Sequence, residues 1–160
     1  MLRSQRHIRV HNYDISLDER RLDIQLIHSF LSQSYWSPNV PLATVEKAVR
    51  NSICVGAYTP TLQVGFARMV TDRATFGYLA DVFVLEGHRG QGLSRLMLDA
   101  LLGHSDLQGL RRLMLATRDA HNLYEKFGFQ ALKSPDRFME KHNPNVYLKP
   151  SSPAPDCVAR

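Results

Sequence analysis

One stretch, residues 78–102, constrains the fold of this 160-residue chain more than any other. Its first part, YLADVFVL, is rich in aromatic and β-branched residues, which is typical of a mostly buried strand. The segment EGHRGQ follows, and from Gly92 onward apolar residues recur at helical spacing, namely Leu93, Leu96, Met97, Ala100 and Leu101. A strand therefore runs through a glycine turn into a helix N-terminus, whose backbone N–H groups favour an anion.

The hydrophobic period of the remaining chain predicts an α/β (α+β) fold. The predicted elements before this stretch are an edge strand at 7–15, helices at 19–35 and 44–50, and hairpin strands at 53–58 and 62–71. Those after it are a strand at 110–116, a helix at 117–126 that ends at Gly128, and short strands at 129–132 and 138–141. We therefore expect a mixed, largely antiparallel sheet of about six or seven strands with helices on both faces and one β-α-β unit.

Length and composition predict one domain over residues 1–148, followed by a Pro/Ser-rich tail at 149–160 that we expect to be disordered. The chain has no apolar run long enough to suggest a membrane span and no apolar leader at its N-terminus. Cys54 and Cys157 lie far apart, which favours reduced thiols and a cytosolic location. The net charge is +5 without any run of five basic residues, so a nucleic-acid partner is not indicated.

The glycine turn can be compared with three templates for phosphate binding. It has no Gly-Lys-Ser/Thr triplet, which argues against an ATP-binding loop. The dinucleotide fingerprint fails because Arg95 stands where its last glycine should be. The third template, Arg-x-x-Gly-x-Gly/Ala, binds the pyrophosphate of coenzyme A. Residues 89–94, RGQGLS, match it up to Ser94, which is small but neither Gly nor Ala.

A second motif lies after the next predicted strand. Ala120, Tyr124, Gly128 and Phe129 fit the pattern Asn-x-x-Ala-x-x-x-Tyr-x-x-x-Gly-Phe, with Thr117 in place of the Asn. With both motifs in the right order, residues 53–140 resemble the GNAT superfamily of acetyl-CoA-dependent N-acetyltransferases. The resemblance implies the GNAT fold and acetyl-CoA as co-substrate.

The resemblance also assigns residues to acetyl-CoA. The pyrophosphate would lie on the backbone of the glycine turn, and the pantetheine arm would pair with the backbone of the preceding strand. The residues implied are Val82, Phe83, Val84, Arg89, Gly90, Gln91, Gly92, Leu93, Ser94, Thr117, Asn122 and Tyr124. Tyr124 matches the family tyrosine that protonates the CoA sulfur, and core packing is the alternative explanation for its position.

The acceptor side is less defined. An aliphatic ammonium, with a pKa of about 10.4, must lose a proton before it can attack. Asp81 and Glu86 are the nearest acids, Asp72 is a third, and a water chain is a further alternative. In the family the acceptor enters under the loop at 35–41, so we assign Tyr35, Trp36 and Asp72 to the acceptor. Trp36 could equally anchor the loop on the core. Arg68, Arg118 and Asp119 border this side, but the sequence does not fix their directions.

The sequence therefore predicts an N-acetyltransferase in which a primary amine attacks acetyl-CoA directly in a ternary complex. The alternative is a non-catalytic acyl-CoA-binding sensor or regulatory module. We expect no metal, because His7 and His11 lie four apart in a predicted strand, too distant for easy chelation. We expect neither a nucleic-acid nor a membrane partner. A homodimer is left open, and the identity of the amine is not predicted.

Overall fold

The fold is built on one six-stranded sheet. The computed structural model describes residues 8–10 and 12–148. Its strands are β1 (Ile8–Val10), β2 (Tyr13–Ser16), β3 (Ile53–Tyr58), β4 (Gln63–Thr71), β5 (Phe76–Val84) and β6 (Arg112–Met114), and they lie side by side in sequence order. Every neighbouring pair is antiparallel except β5 with β6, which are parallel. The predicted mixed, largely antiparallel sheet is confirmed, at the lower end of the predicted strand number.

Capping residues mark the starts of helices in the described part of the chain. The helices are α1 (Ile24–Leu31), α2 (Leu42–Arg50), α3 (Leu93–Leu102) and α4 (His121–Glu125), with single 3-10 turns at Glu19–Arg21, Glu86–His88, Ser105–Leu107 and Pro135–Arg137. The Asp23 carboxylate caps α1 by accepting from the Leu26 N–H at 3.0 Å. Pro41 stands at the N-cap of α2, where its missing N–H costs nothing. None of these helices is long and apolar enough to cross a bilayer.

Alternate residues of β3 face two separate cores, one on each side of the sheet. Ile53, Val55 and Ala57 belong to the core that α3 covers, together with Met97 and Leu98. Cys54 points the other way. It belongs to the core that α1 and α2 cover, which also contains Phe66 and Phe83. The period of two along a strand thus divides the apolar residues between both faces, and the predicted helices on both faces are confirmed.

Two irregularities of β5 open the sheet near its C-terminal end. Phe66 pairs with Phe83 and Arg68 pairs with Ala80, so two residues of β5, Asp81 and Val82, stand opposite one residue of β4. This is a β-bulge, and Asp81 has a left-handed φ of 54°. On the other side, β5 pairs with β6 only from Phe76 to Tyr78. Past that point the two parallel strands part.

Several predicted boundaries are wrong. The single strand at 7–15 is the hairpin β1–β2. The helix at 19–35 is broken into a 3-10 turn and α1, because Asp18 and Asp23 each cap a new start: Asp18 accepts from the Arg20 N–H at 3.1 Å. The strand at 110–116 shortens to β6. The helix at 117–126 begins later, since the Thr117 hydroxyl accepts from the Ala120 N–H at 3.0 Å.

The strands predicted at 129–132 and 138–141 are also wrong, because none of those residues belongs to a β-strand. Gly128 turns the chain with a φ of 83°, as expected for a helix end, and Pro135 starts a 3-10 turn between the two segments. The tail at 149–160, which includes Cys157, lies outside the described residues, as do His7 and His11. The domain boundary after residue 148 stays a prediction.

Candidate active site

A cleft of ≈ 820 Å³ opens where β5 and β6 part. The bulged half of β5 forms one wall, the chain after β6 forms the opposite wall, and the loop after α1 closes the end. The residues that line it are Tyr35, Trp36, Ser37, Arg68, Tyr78, Leu79, Ala80, Asp81, Val82, Arg89, Leu115, Ala116, Thr117, Arg118, Asp119, Ala120 and Tyr124. Because β5 does not pair with β6 beyond Tyr78, the cleft lies next to backbone groups of β5 that have no strand partner on that side.

Asp81 is held by two donors at the inner end of this cleft. Arg68 Nε donates to Asp81 Oδ2 at 2.6 Å, and Trp36 Nε1 donates to Asp81 Oδ1 at 3.1 Å. Arg68 Nη1 also donates to the Ser52 hydroxyl at 3.2 Å. The Asp81 side chain is only 9% exposed. An ionised carboxylate offers about four acceptor positions, so Asp81 keeps capacity for a further donor.

An aromatic series connects the core to the mouth of the cleft. Phe83 stacks on Phe30 with ring centroids 3.9 Å apart, and Phe30 lies 6.3 Å from Trp36. Trp36 meets Tyr35 edge-to-face at 4.9 Å, and the Arg118 guanidinium lies 4.0 Å from the centre of the Tyr35 ring. Trp36 is 42% exposed, so it is a wall of the cleft rather than a buried loop anchor.

Tyr124 reaches the cleft from α4. Its ring is buried in the α3-side core and meets Phe129 edge-to-face at 6.1 Å. Burial raises the pKa of the Tyr124 phenol above its usual range, and the nearby Tyr35 and Asp119 act in the same direction. The hydroxyl therefore carries its proton at neutral pH, and the raised pKa makes it a weaker acid than a free phenol.

The glycine turn presents the N-terminus of α3. Gly90 and Gly92 both have a φ of 75°, and Gly92 is the N-cap of the helix. A Cβ at either position would meet nothing within 4 Å, so glycine is required here for the left-handed backbone and not for space. Because Gly92 has no side chain, no cap residue accepts from the N–H groups of the first turn. Arg89 Nε donates to the Val84 carbonyl at 3.1 Å and ties the turn to the end of β5.

The cleft brings together part of the predicted site. Of the residues assigned from sequence, those that line it are Tyr35, Trp36, Asp81, Val82, Arg89, Thr117 and Tyr124. Gly90, Gln91, Gly92, Leu93 and Ser94 form the adjoining turn and first helical turn, and Phe83 and Val84 are buried at the end of β5. Asn122 and Glu86 are exposed and lie outside the lining.

Asp72 is also outside the cleft, where it closes the β4–β5 turn. Its Oδ1 accepts from the backbone N–H groups of Ala74, Thr75 and Phe76, and its Oδ2 accepts from the Thr75 hydroxyl at 2.6 Å. These hydrogen bonds, led by the Thr75 hydroxyl, hold the pKa of the Asp72 carboxyl well below its usual range. They give Asp72 a structural task in the turn, and the acceptor role predicted for it gains no support.

Sequence reasoning left the directions of Arg68 and Arg118 open and did not find the bulge. Arg68 follows Phe66 by two residues on a strand, so both side chains point to the same face of the sheet. A charged residue at such a core-facing position is unusual, and this pattern could have indicated that Arg68 belongs to the site. Nothing in the sequence indicated that Arg118 lies over Tyr35. Across the described residues, no group of three or more His, Cys, Asp or Glu side chains could hold a metal ion.

Comparison with known proteins defines the class. The family model described as the Acetyltransferase (GNAT) family matches residues 23–129. The chain belongs to the GNAT acetyltransferase family and is therefore an acyltransferase. It is 38% identical over 138 residues, covering 72% of this chain and 77% of the relative, to a protein of Gibberella zeae that carries the provisional name acetyltransferase FG08082.

Solved structures agree on the fold. A crystal structure from Xanthomonas campestris pv. campestris, provisionally described as a GNAT acetyltransferase, matches with a TM-score of 0.84 and 46% identity over 88% of this chain and 100% of that chain. A provisionally described acetyltransferase from Clostridium acetobutylicum, solved with acetyl-CoA, matches with a TM-score of 0.60 and 18% identity over 82% and 95% of the two chains. The latter similarity shows the GNAT fold alone.

Proposed function

We propose that the protein transfers an acetyl group from acetyl-CoA to a primary amine by direct attack in a ternary complex. The observation that carries this proposal is the cleft between β5 and β6. It combines an unpaired strand edge, a carboxylate at its inner end and a protonated tyrosine in one space. Family membership supports acetyl transfer as the reaction class, and these groups could bind the co-substrate and transfer the protons.

The cleft suits an anionic, extended co-substrate. Three arginines and two aspartates line it, which leaves one net positive charge. The N–H groups at the start of α3 would receive the pyrophosphate next to Arg89. The backbone of Val82 and Phe83 would pair with the pantetheine amides, because β6 has already parted from β5 there. The Clostridium structure solved with acetyl-CoA supports acetyl-CoA as the co-substrate.

The reaction needs two proton transfers. The acceptor ammonium loses a proton, for which Asp81 is the carboxylate inside the cleft. The free amine attacks the thioester carbonyl carbon, a C–N bond forms and the C–S bond breaks. Tyr124 donates a proton to the departing sulfur and regains one from the amide nitrogen through solvent. An ammonium and acetyl-CoA thus give an acetamide, CoA thiol and one proton released to solvent.

Exchange of Tyr124 for Phe tests this assignment. Tyr124→Phe should lower kcat by about 10²-fold, the usual size of one general-acid contribution, and leave the Kd of acetyl-CoA unchanged. Thiol release from an amine panel measures the rate. Tyr78→Phe is the control, because Tyr78 lines the same cleft without an assigned role. Unchanged kcat with chemistry rate-limiting would remove the acid role. Acetyl-CoA binding without thiol release from any amine would favour a binding module.

A cytosolic location, the absence of nucleic-acid and membrane partners and the possibility of a homodimer stay predictions. Glu86, as an alternative base, also stays a prediction, although its exposed position on a 3-10 turn outside the cleft does not favour it.

A further inference from the structure

A second, smaller cavity of ≈ 120 Å³ lies behind the cleft, between α2 and the sheet. Its walls come from the end of α1, the loop after it, the inner side of α2 and the strands beneath. The residues that line it are Leu31, Ser37, Val40, Thr44, Val45, Ala48, Val49, Phe66, Arg68, Asp81 and Tyr147. Five of these are buried apolar residues of the α1/α2-side core, so the cavity interrupts that core.

The cavity and the cleft share a wall. Ser37, Arg68 and Asp81 line both spaces. The Arg68–Asp81 ion pair therefore stands at their junction, with Trp36 donating to Asp81 from the cleft side. A molecule whose ammonium lies against Asp81 can face the cleft with its nitrogen while its substituent extends into the cavity.

The charge of the cavity restricts that substituent. Arg68 and Asp81 are the only charged residues of the lining, and each is the other's partner. A second ammonium or a carboxylate carried deep into the cavity would lose its hydration and find only aliphatic, aromatic and hydroxyl groups. An uncharged apolar substituent loses nothing comparable and gains contact with Val45, Val49 and Phe66.

The volume sets the size. An engineered apolar cavity of about 150 Å³ holds benzene, so this slightly smaller one suits a branched chain of roughly four or five carbons. Resting on the acetyltransferase function proposed above, we propose that the acceptor is a small primary amine with one compact, uncharged apolar substituent, and that this substituent occupies the cavity behind the Arg68–Asp81 pair. A lysine side chain of a protein approaches from the cleft mouth and leaves this cavity unfilled.

A matched panel of amines tests the class. The probes are 3-methylbutylamine, 1,4-diaminobutane, 4-aminobutyrate and N-acetyl-lysine methylamide, each offered to the full chain with acetyl-CoA while CoA thiol is measured. We expect kcat/KM for 3-methylbutylamine to exceed that of each of the other three probes by at least about tenfold, the lower range for apolar pocket discrimination. A higher kcat/KM for the diamine, the amino acid or the lysine derivative overturns the proposal.

Two alanines of α2 provide a matched pair of variants. Ala48 lines the cavity, whereas Ala43 is exposed on the same helix and lines neither space. Ala48→Leu should fill the cavity and raise KM for 3-methylbutylamine about tenfold or more, with KM for acetyl-CoA unchanged. Ala43→Leu should change neither value. An unchanged amine KM in Ala48→Leu contradicts the proposal.

A second variant covers the case in which Ala48→Leu does not fold. Val45→Ala should enlarge the cavity and shift the preference from 3-methylbutylamine toward 2-phenylethylamine, and an unshifted preference counts against the proposal. The failure of the two proposals can be distinguished. Thiol release with only the diamine, the amino acid or the lysine derivative contradicts the proposed acceptor class but leaves the acetyltransferase function in place. Acetyl-CoA binding without release from any amine sinks both.

Discussion

The two faces of the sheet are packed differently. On the α3 face the glycines of the sheet lie directly under side chains: a Cβ on Gly65 would come within 3.1 Å of Met97 Cε, and one on Gly77 within 2.7 Å of Leu113 Cδ2. On the α1/α2 face the core contains a cavity and borders the Arg68–Asp81 ion pair. At these two glycines the α3 face is filled, whereas the α1/α2 face keeps a cavity and an ion pair.

The difference separates stability from chemistry. A filled apolar core stabilises the fold through buried apolar area and close contact. Removing side-chain volume from it lowers the free energy of unfolding. An ion pair removed from water contributes little net stability, since desolvation opposes the attraction. The Arg68–Asp81 pair on the α1/α2 face therefore adds less to stability than the packed apolar residues do, and it lines the candidate active site. Substitutions on the two faces should differ in what they change.

The largest effect on stability is expected on the filled face. Met97 is fully buried beneath Gly65, so Met97→Ala should leave a cavity and lower the free energy of unfolding by about 2–5 kcal/mol. Urea unfolding measures this loss. Asp99→Ala on the solvent side of α3 is the control and should stay within about 0.5 kcal/mol. KM values of the folded Met97→Ala fraction should match wild type. A KM of the folded Met97→Ala protein that differs from the wild-type value would contradict the division between the faces.

On the other face, Asp81→Asn should reduce kcat/KM for the amine by about 10²-fold. Asn tolerates the left-handed φ of 54° and has nearly the same shape, so the bulge should persist while the proton acceptor is lost. The loss of the charged partner of Arg68 should lower the free energy of unfolding by about 1–3 kcal/mol. Glu86→Gln is the matched control and should keep wild-type kcat/KM. If Glu86→Gln shows the larger loss, the base has been assigned to the wrong acid.

A smaller effect concerns alkaline pH. Burial raises the pKa of the Cys54 thiol from 9.0 to about 12, with Glu19 and Asp81 adding to burial and Arg68 opposing it. Above about pH 9 the unfolded chain loses this proton while the folded chain keeps it, so stability falls as pH rises through that range. Between pH 8 and pH 10, the free energy of unfolding should fall by about 1 kcal/mol more in wild type than in Cys54→Ala. Parallel pH profiles for the two proteins would mean that the buried thiol does not resist ionisation.

Much of this organisation follows from sequence pattern. The glycine turn, the helical stripe from Leu93 to Leu101 and the Gly128 helix end lie where the period and the glycines indicate. These features depend on neighbours within a few residues. The same locality explains why Tyr124, four residues before Gly128, is correctly expected on a helix.

The features that the sequence pattern could not predict depend on contacts between residues far apart in the chain. The Trp36–Asp81 hydrogen bond joins residues 45 positions apart, and the position of Arg118 over Tyr35 depends on how the loops after α1 and β6 meet. The helix at 19–35 failed for a different reason. Asp18 and Asp23 are competing caps, and propensity alone did not decide between one long helix and two short segments.

The bulge at Asp81 and Val82 also sets which core each later residue of β5 enters. Leu79 and Phe83 are four apart, and in a regular strand both would point to the same face, yet Leu79 lies in the α3-side core and Phe83 in the opposite one. The extra residue therefore reverses the face of the sheet to which each later side chain of the strand points. Deleting either residue of the bulge would send Phe83 into the filled core and Val84 out of it, so the length of this strand is as constrained as its composition.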